Sequence, residues 1–266
     1  MKPKTTNASE PILALETVGK RFGGLRAVEG ASFAVATGSI TALIGPNGAG
    51  KTTVFDLISG YERPDTGAIR FEGRRIDGLA SHSIAKGGVV RTFQLTRVFA
   101  AMSVRDNMLI GAQRQAGESL PRLVFGPKSV KRAEEAAQAR ADALMRAFAL
   151  DRKADDYAGS LSGGQRKLLE FARALMTEPR LVLLDEPMAG VNRALGASLL
   201  DEVERLRREQ GMTFLFIEHD IDIVMRRADY VIAMAEGAVI AEGPPALIRR
   251  DPRVIDAYLG RKGAVA

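Results

Sequence analysis

The 266-residue chain is 46% hydrophobic and 26% charged, an ordinary balance for a packed globule with room for one large domain or a domain carrying an inserted lobe. It has no cysteine and two histidines, His82 and His219, which excludes disulfides, thiolate metal sites and cysteine nucleophiles and leaves little for a zinc site. The net charge of +6 suits a nucleotide, an anionic lipid surface or nucleic acid without choosing among them.

Met1 to Glu10 is polar and lacks the apolar centre of a signal peptide. It is expected to be a flexible tail. No apolar run reaches the roughly 20 residues of a spanning helix, so the expectation is a protein that neither crosses a membrane nor is secreted. From Ile12 to Val18 and from Ala31 to Ala36 the apolar spacing predicts strands of a small antiparallel β region. The run Ile40 to Ile44 predicts a buried strand; Gly45 to Thr53 follows it and a helix over Val54 to Ile58 comes next. Ala68 to Phe71 reads as a strand, followed by a turn-rich stretch through Asp77-Gly78, and Val89 to Phe93 as another strand ending at Gln94.

Ser103-Val-Arg-Asp106 has capping-box spacing and predicts a helix from Val104 to about Gln115. Ala116 to Ser129, with Gly117, Pro121, Gly126 and Pro127, reads as a loop, and Lys131 to Leu150 as an amphipathic helix. Leu161-Ser-Gly-Gly-Gln165 then opens a helix running to Met176. Leu181 to Leu184 and Thr213 to Ile217 are unbroken apolar strands, ending at Asp185-Glu186 and Glu218-His219. Tyr230 to Ala235 and Val239 to Ala241 flank Glu236-Gly237 as a hairpin, and Pro244 to Leu259 holds short helices. Apolar strands alternating with helices predict an α/β fold: a core of mostly parallel sheet around the Ile40 strand, with the antiparallel β region at its N-terminus and a helical insert subdomain. The core is placed at about 11–93 and 160–266 and the insert at about 94–159.

The chemistry centres on Gly45-Pro46-Asn47-Gly48-Ala49-Gly50-Lys51-Thr52-Thr53. Glycines without Cβ let the backbone curl until successive N–H groups form an anion nest, and the following helix start favours negative charge. Lys51 is placed to reach β- and γ-phosphates, Thr52 to ligate Mg²⁺, and Thr53 to add a hydroxyl contact to the α-phosphate. In a parallel sheet ligands bind beyond the carboxyl ends of the strands, and four strands here end at the phosphate loop, Gln94, Asp185-Glu186 and His219. Asp185 has the position of a Mg²⁺-holding carboxylate, and Glu186 that of a group that takes a proton from, or orients, the attacking water. The glycines of Leu161 to Gln165 make a second anion-binding helix start, which fits two chains pairing head to tail.

These motifs, in this order and spacing, resemble the ATP-binding subunits of ABC transporters over nearly the whole chain beyond Ile12. The resemblance implies that Ser162, Gly163, Gly164 and Gln165 serve the ATP held by a partner subunit, that Gln94 contacts Mg²⁺ and relays to a membrane permease, and that His219 is the γ-phosphate switch. It places Phe22 at the adenine-stacking position, where tyrosine is usual, and Asn192 where an interface aspartate is usual. Phe22-Gly-Gly-Leu-Arg-Ala-Val28, Arg91-Thr-Phe-Gln94, Ala189 to Asn192 and the ending Asp251 to Gly260 look like the larger ATPase subunit of branched-chain amino acid importers. That implies ATP and Mg²⁺, transmembrane permease subunits, a second ATP-binding subunit (homodimer or heterodimer), an indirect periplasmic solute-binding protein, and a peripheral place on the cytoplasmic face of the plasma membrane. Leu95, Val98 and Phe99 would seat the permease. An exporter of lipid or lipopolysaccharide is the alternative, and a DNA-associated ABC ATPase a more distant one; nucleic acid is not expected as a partner.

Overall fold

The computed structural model describes residues 11–92, 98–112 and 127–259. By packing, the chain divides into two compact units: the first runs to Arg91, returns for Arg180–Glu186 and again from Val203, and the second holds Thr92–Pro179 and Pro187–Glu202.

The first unit contains two sheets. β1 (Leu13–Phe22) and β2 (Leu25–Val35) form an antiparallel hairpin whose two-residue turn, Gly23-Gly24, sets Phe22 opposite Leu25. β4 (Thr66–Phe71) and β5 (Arg74–Arg75) complete a four-stranded sheet in the order β2-β1-β4-β5. Both hairpin strands are longer than the apolar pattern predicts, because the register slips between Leu15 and Val18 and again before Arg21. A bulge breaks the period of two on which the pattern depends.

The second sheet has the order β10-β9-β3-β8-β7-β6, built from β3 (Ile40–Ile44), β6 (Val89–Arg91), β7 (Leu181–Asp185), β8 (Thr213–Ile217), β9 (Tyr230–Ala235) and β10 (Ala238–Gly243). Its neighbours pair in parallel except β10, which is antiparallel to β9 across the Glu236-Gly237 turn. Every residue of β3, β7 and β8 is buried, as strands covered on both faces must be. Helix α1 (Lys51–Ile58) sends Val54, Phe55, Leu57 and Ile58 into a core shared with Leu13 and Val35 of the first sheet and Leu43, Leu183, Leu215 and Ile232 of the second. Each of these large side chains contributes roughly 1.5–3 kcal/mol by burial. α2 (Ser81–Lys86) follows the turn-rich stretch that ends at Asp77-Gly78, in residues to which the sequence pattern assigns no element. α7 (Ile221–Arg227) is capped by Asp220, and α8 (Pro245–Ile248) and α9 (Pro252–Leu259) supply the expected short helices of the tail.

The second unit holds α3 (Val104–Ile110), α4 (Pro127–Ala147), α5 (Gly163–Leu175) and the first half of α6 (Arg193–Gln210). Ser103 caps α3 by accepting from Asp106 N at 3.0 Å, and the helix stops at Gly111, short of Gln115. α4 begins earlier than predicted, with Pro127 as its first residue, a position where the missing N–H costs nothing. Of the expected loop, 116–129, residues 116–126 lie outside the described residues and 127–129 belong to α4. Residues 160–179, assigned to the core from sequence, group instead with the helical unit. Arg140 of α4 donates to Leu175 O of α5 at 2.8 Å, and Phe148 meets Phe171 edge to face at 5.4 Å. Asn192 caps α6, its Oδ1 accepting from Leu195 N at 2.9 Å. Asn192→Ala is therefore expected to cost about 1 kcal/mol and to lower the melting temperature by about 2–4 °C in a thermal unfolding scan.

Candidate active site

β3 runs into the phosphate loop and the loop into α1, so strand, turn and helix start follow one another as predicted. Gly45 has φ 150° and a Cβ there would lie 2.2 Å from Met234 O; Gly50 has φ 95° and a Cβ would lie 2.3 Å from Ala27 O. Only glycine fits either place. Gly48, in between, is exposed. Ala49 N donates to Pro46 O and Val54 N to Gly50 O, closing the turn and starting the helix. α1 has no side-chain cap hydrogen bond, and a helix start is a place where an anion is favoured. Lys51, 6% exposed, donates from Nζ to Gly45 O at 2.8 Å and Pro46 O at 3.0 Å, which holds the ammonium over the loop. Thr52 is exposed and Thr53 half-buried in the first turn.

The loop lines a cavity of about 240 Å³ through Asn47 to Thr53, together with Leu25, Arg26, Ala27, Glu186 and His219. Glu186 follows β7 in the left-handed region, φ 48°, with its N–H bonded to Ile217 O at 3.1 Å. A non-glycine residue there carries a strain of about 1–3 kcal/mol, which residues at reacting centres often do. Glu186 Oε1 and His219 Nε2 are 2.7 Å apart. The ends of β3, β7 and β8 thus bring together the loop, the carboxylate and the imidazole.

Asp185 closes β7 and is 3% exposed. Arg91, the last residue of β6, donates to Asp185 Oδ2 at 2.7 Å and to Asp56 Oδ1 of α1 at 2.5 Å. Burial alone would lower the Arg91 pKa, but hydrogen bonds to the two carboxylates outweigh it and raise it above the ordinary guanidinium value. Asp185 Oδ1 is buried without a hydrogen-bond partner among the described residues. A buried carboxylate oxygen left unpaired is costly unless something binds it. That oxygen and the Thr52 hydroxyl are hard donors of the kind Mg²⁺ takes, so the residues present fit the ion. Among the described residues no group of three or more His, Asp or Glu is placed to hold a metal ion. Gln94 lies outside the described residues.

Phe22 is 44% exposed at the end of β1, with Lys20 Nζ 5.2 Å from its ring centroid, and does not line the cavity; Leu25, Arg26 and Ala27 of the same hairpin do. In the second unit Ser162 and Gln165 form a reciprocal capping box, Ser162 N donating to Gln165 Oε1 at 3.1 Å and Gln165 N to Ser162 Oγ at 3.3 Å. Gly163 and Gly164 follow Ser162 as the opening residues of α5. Sequence reasoning missed Arg91 and Asp56. The available signal was a lone arginine inside the apolar run Val89 to Phe93.

The family model described as "ABC transporter" matches residues 28–189, from within β2 through the segment after β7. The chain belongs to this family. A second model, "Branched-chain amino acid ATP-binding cassette transporter", matches residues 238–264 of this ABC ATPase. It is 41% identical over 252 residues to the high-affinity branched-chain amino acid transport ATP-binding protein BraF of Pseudomonas aeruginosa, covering 95% of this chain and 99% of that protein. It is 42% identical over 249 residues to the probable branched-chain amino acid transport ATP-binding protein LivG of Archaeoglobus fulgidus, covering 94% and 95%. Among solved structures, the ADP conformation of an ATP-binding cassette of an ABC transporter superposes with a TM-score of 0.81 at 37% identity, over 95% of this chain and all of that one. For this ATPase, Gly50→Ala is expected to cost about 2–3 kcal/mol from backbone strain alone. The variant should lose nucleotide affinity and melt about 5–10 °C lower; calorimetric titration with ATP and a thermal scan check both.

Proposed function

We propose that this chain is the ATP-hydrolysing subunit that powers an importer of branched-chain amino acids or related amide or aromatic-acid cargo. The observation that carries the hydrolytic part is the 2.7 Å approach of Glu186 and His219 on the wall of the phosphate-loop cavity. The cargo rests on the names of relatives that match across nearly its whole length.

In this reading the N–H groups of Gly48 to Thr53 and the Lys51 ammonium bind the phosphates of ATP and offset charge on the transferred group. Thr52, Asp185 and Gln94 would hold Mg²⁺, which when bound would neutralise phosphate charge. Glu186 accepts a proton from water as its oxygen bonds to the γ-phosphorus and ADP leaves. His219 fixes the Glu186 carboxylate and faces the same cavity. Phe22 stacks on the adenine ring. Ser162, Gly163, Gly164 and Gln165 serve the ATP of a second ATP-binding subunit, identical or homologous, so closure of the pair is what ATP drives. The whole chain then works as one ABC ATPase domain with a helical subdomain, peripheral on the cytoplasmic face of the membrane. Its permease seat includes Phe99, which is 50% exposed. The Phe99 backbone is clamped by the fully buried Asn107, which accepts from Phe99 N at 2.9 Å and donates to Phe99 O at 3.0 Å.

The test is reconstitution of the chain with its permeases and solute-binding protein in proteoliposomes. ATP-dependent uptake of leucine, isoleucine or valine that stops without the binding protein is the expected result. Uptake of none of these cargo classes, or outward movement only, overturns the reading.

A further inference from the structure

Arg91 has no part in the mechanism above, yet its side chain, 10% exposed, joins three elements of the site. It stands at the end of β6; one arm bonds Asp185 Oδ2 at the end of β7 and the other Asp56 Oδ1 on α1. The guanidinium also lies over the rings of Phe55 and Tyr61, 5.6 and 6.0 Å from their centroids, which limits its rotation. A buried ion pair of this kind adds little net stability over an apolar filling of the same volume. What it does supply is direction. By occupying Oδ2 it leaves Oδ1 as the unpartnered oxygen of a carboxylate whose side chain is 1% exposed.

Its second arm has the same destination. Asp56 is one helical turn after Thr52, so the two share a face of α1. Arg91 therefore connects the helix face that carries the expected ligand Thr52 to the carboxylate of a second expected ligand, Asp185.

We infer that Arg91 is a positioning residue for ATP hydrolysis, which aims Asp185 Oδ1 at Mg²⁺ by holding Asp185 Oδ2 and Asp56 together. The inference rests on the reading of the cavity as a Mg·ATP site. Loss of an outer-shell partner of a metal ligand typically costs 10–100-fold in metal affinity.

The experiment uses the full chain and Mn²⁺ as the probe, with its affinity for the protein–ATP complex measured by electron paramagnetic resonance. ATP affinity in EDTA is measured in parallel. Arg91→Met should weaken Mn²⁺ by about tenfold or more while leaving ATP affinity in EDTA within about twofold. Arg91→Lys, which can satisfy one carboxylate, should recover part of the loss. Asp56→Asn keeps the Arg91–Asp185 pair and should give a smaller loss of the same kind, and it decides the matter if Arg91→Met fails to fold. Equal weakening with and without metal, or unchanged Mn²⁺ affinity in both variants, overturns the inference. Failure of the wild-type protein–ATP complex to bind Mn²⁺ would instead overturn the Mg·ATP reading itself.

Discussion

Glu186→Gln keeps nucleotide affinity near the wild-type value and lowers ATP turnover by roughly 10²-fold or more, the scale of removing a general base. The amide has the shape of the carboxylate and still reaches His219, 2.7 Å away, so the cavity wall is preserved. What disappears is the ability to take a proton from water. Steady-state phosphate release measured beside equilibrium binding of a fluorescent ATP analogue separates the two effects. Near-normal hydrolysis in this variant would remove Glu186 from its role. The left-handed backbone at Glu186 is unchanged by the substitution, so any fall in stability should be small.

Lys51→Ala acts on binding. The ammonium is the cation fixed over the phosphate loop by Gly45 O and Pro46 O, and charge-assisted hydrogen bonds contribute about 1.5–3 kcal/mol each. Nucleotide affinity should fall about ten- to a hundredfold, read by isothermal titration with ATP. Because Lys51 also braces two loop carbonyls, circular dichroism should accompany the titration. An unchanged affinity in a folded variant would contradict the phosphate-loop reading.

The parallel strands were legible because burial on both faces leaves unbroken apolar runs: Ile40 to Ile44 and Thr213 to Ile217 coincide with the observed strands. The phosphate loop was legible because its glycines are demanded by backbone geometry at Gly45 and Gly50. Local composition was silent wherever tertiary contacts decide. The β1–β2 hairpin outruns its apolar pattern through bulges, and α2 has one buried residue, Ile84, too little to set a period. The grouping of 160–179 with the helical unit depends on partners such as Arg140, far away in sequence. At the site, Lys51, Glu186 and His219 were recognisable from type and place at strand ends. Arg91 was not, because a lone arginine in an apolar run says nothing of which carboxylates it will meet. Asn192 stood out as a departure from the family pattern; its bond to Leu195 N gives the neutral amide a capping role.

The turn between β9 and β10 sets a practical limit on grafting. Glu236 and Gly237 both take positive φ, and Gly237 accepts from Glu29 N at 2.8 Å while donating to Ala49 O, inside the phosphate loop, at 3.1 Å. The segment that matches the branched-chain family begins one residue later, at 238. A chimaera that exchanges this tail for a relative's should therefore be joined beyond Gly243, where β10 ends. A junction at the turn would splice foreign backbone into the floor of the phosphate loop and change ATP binding along with the trait being transplanted.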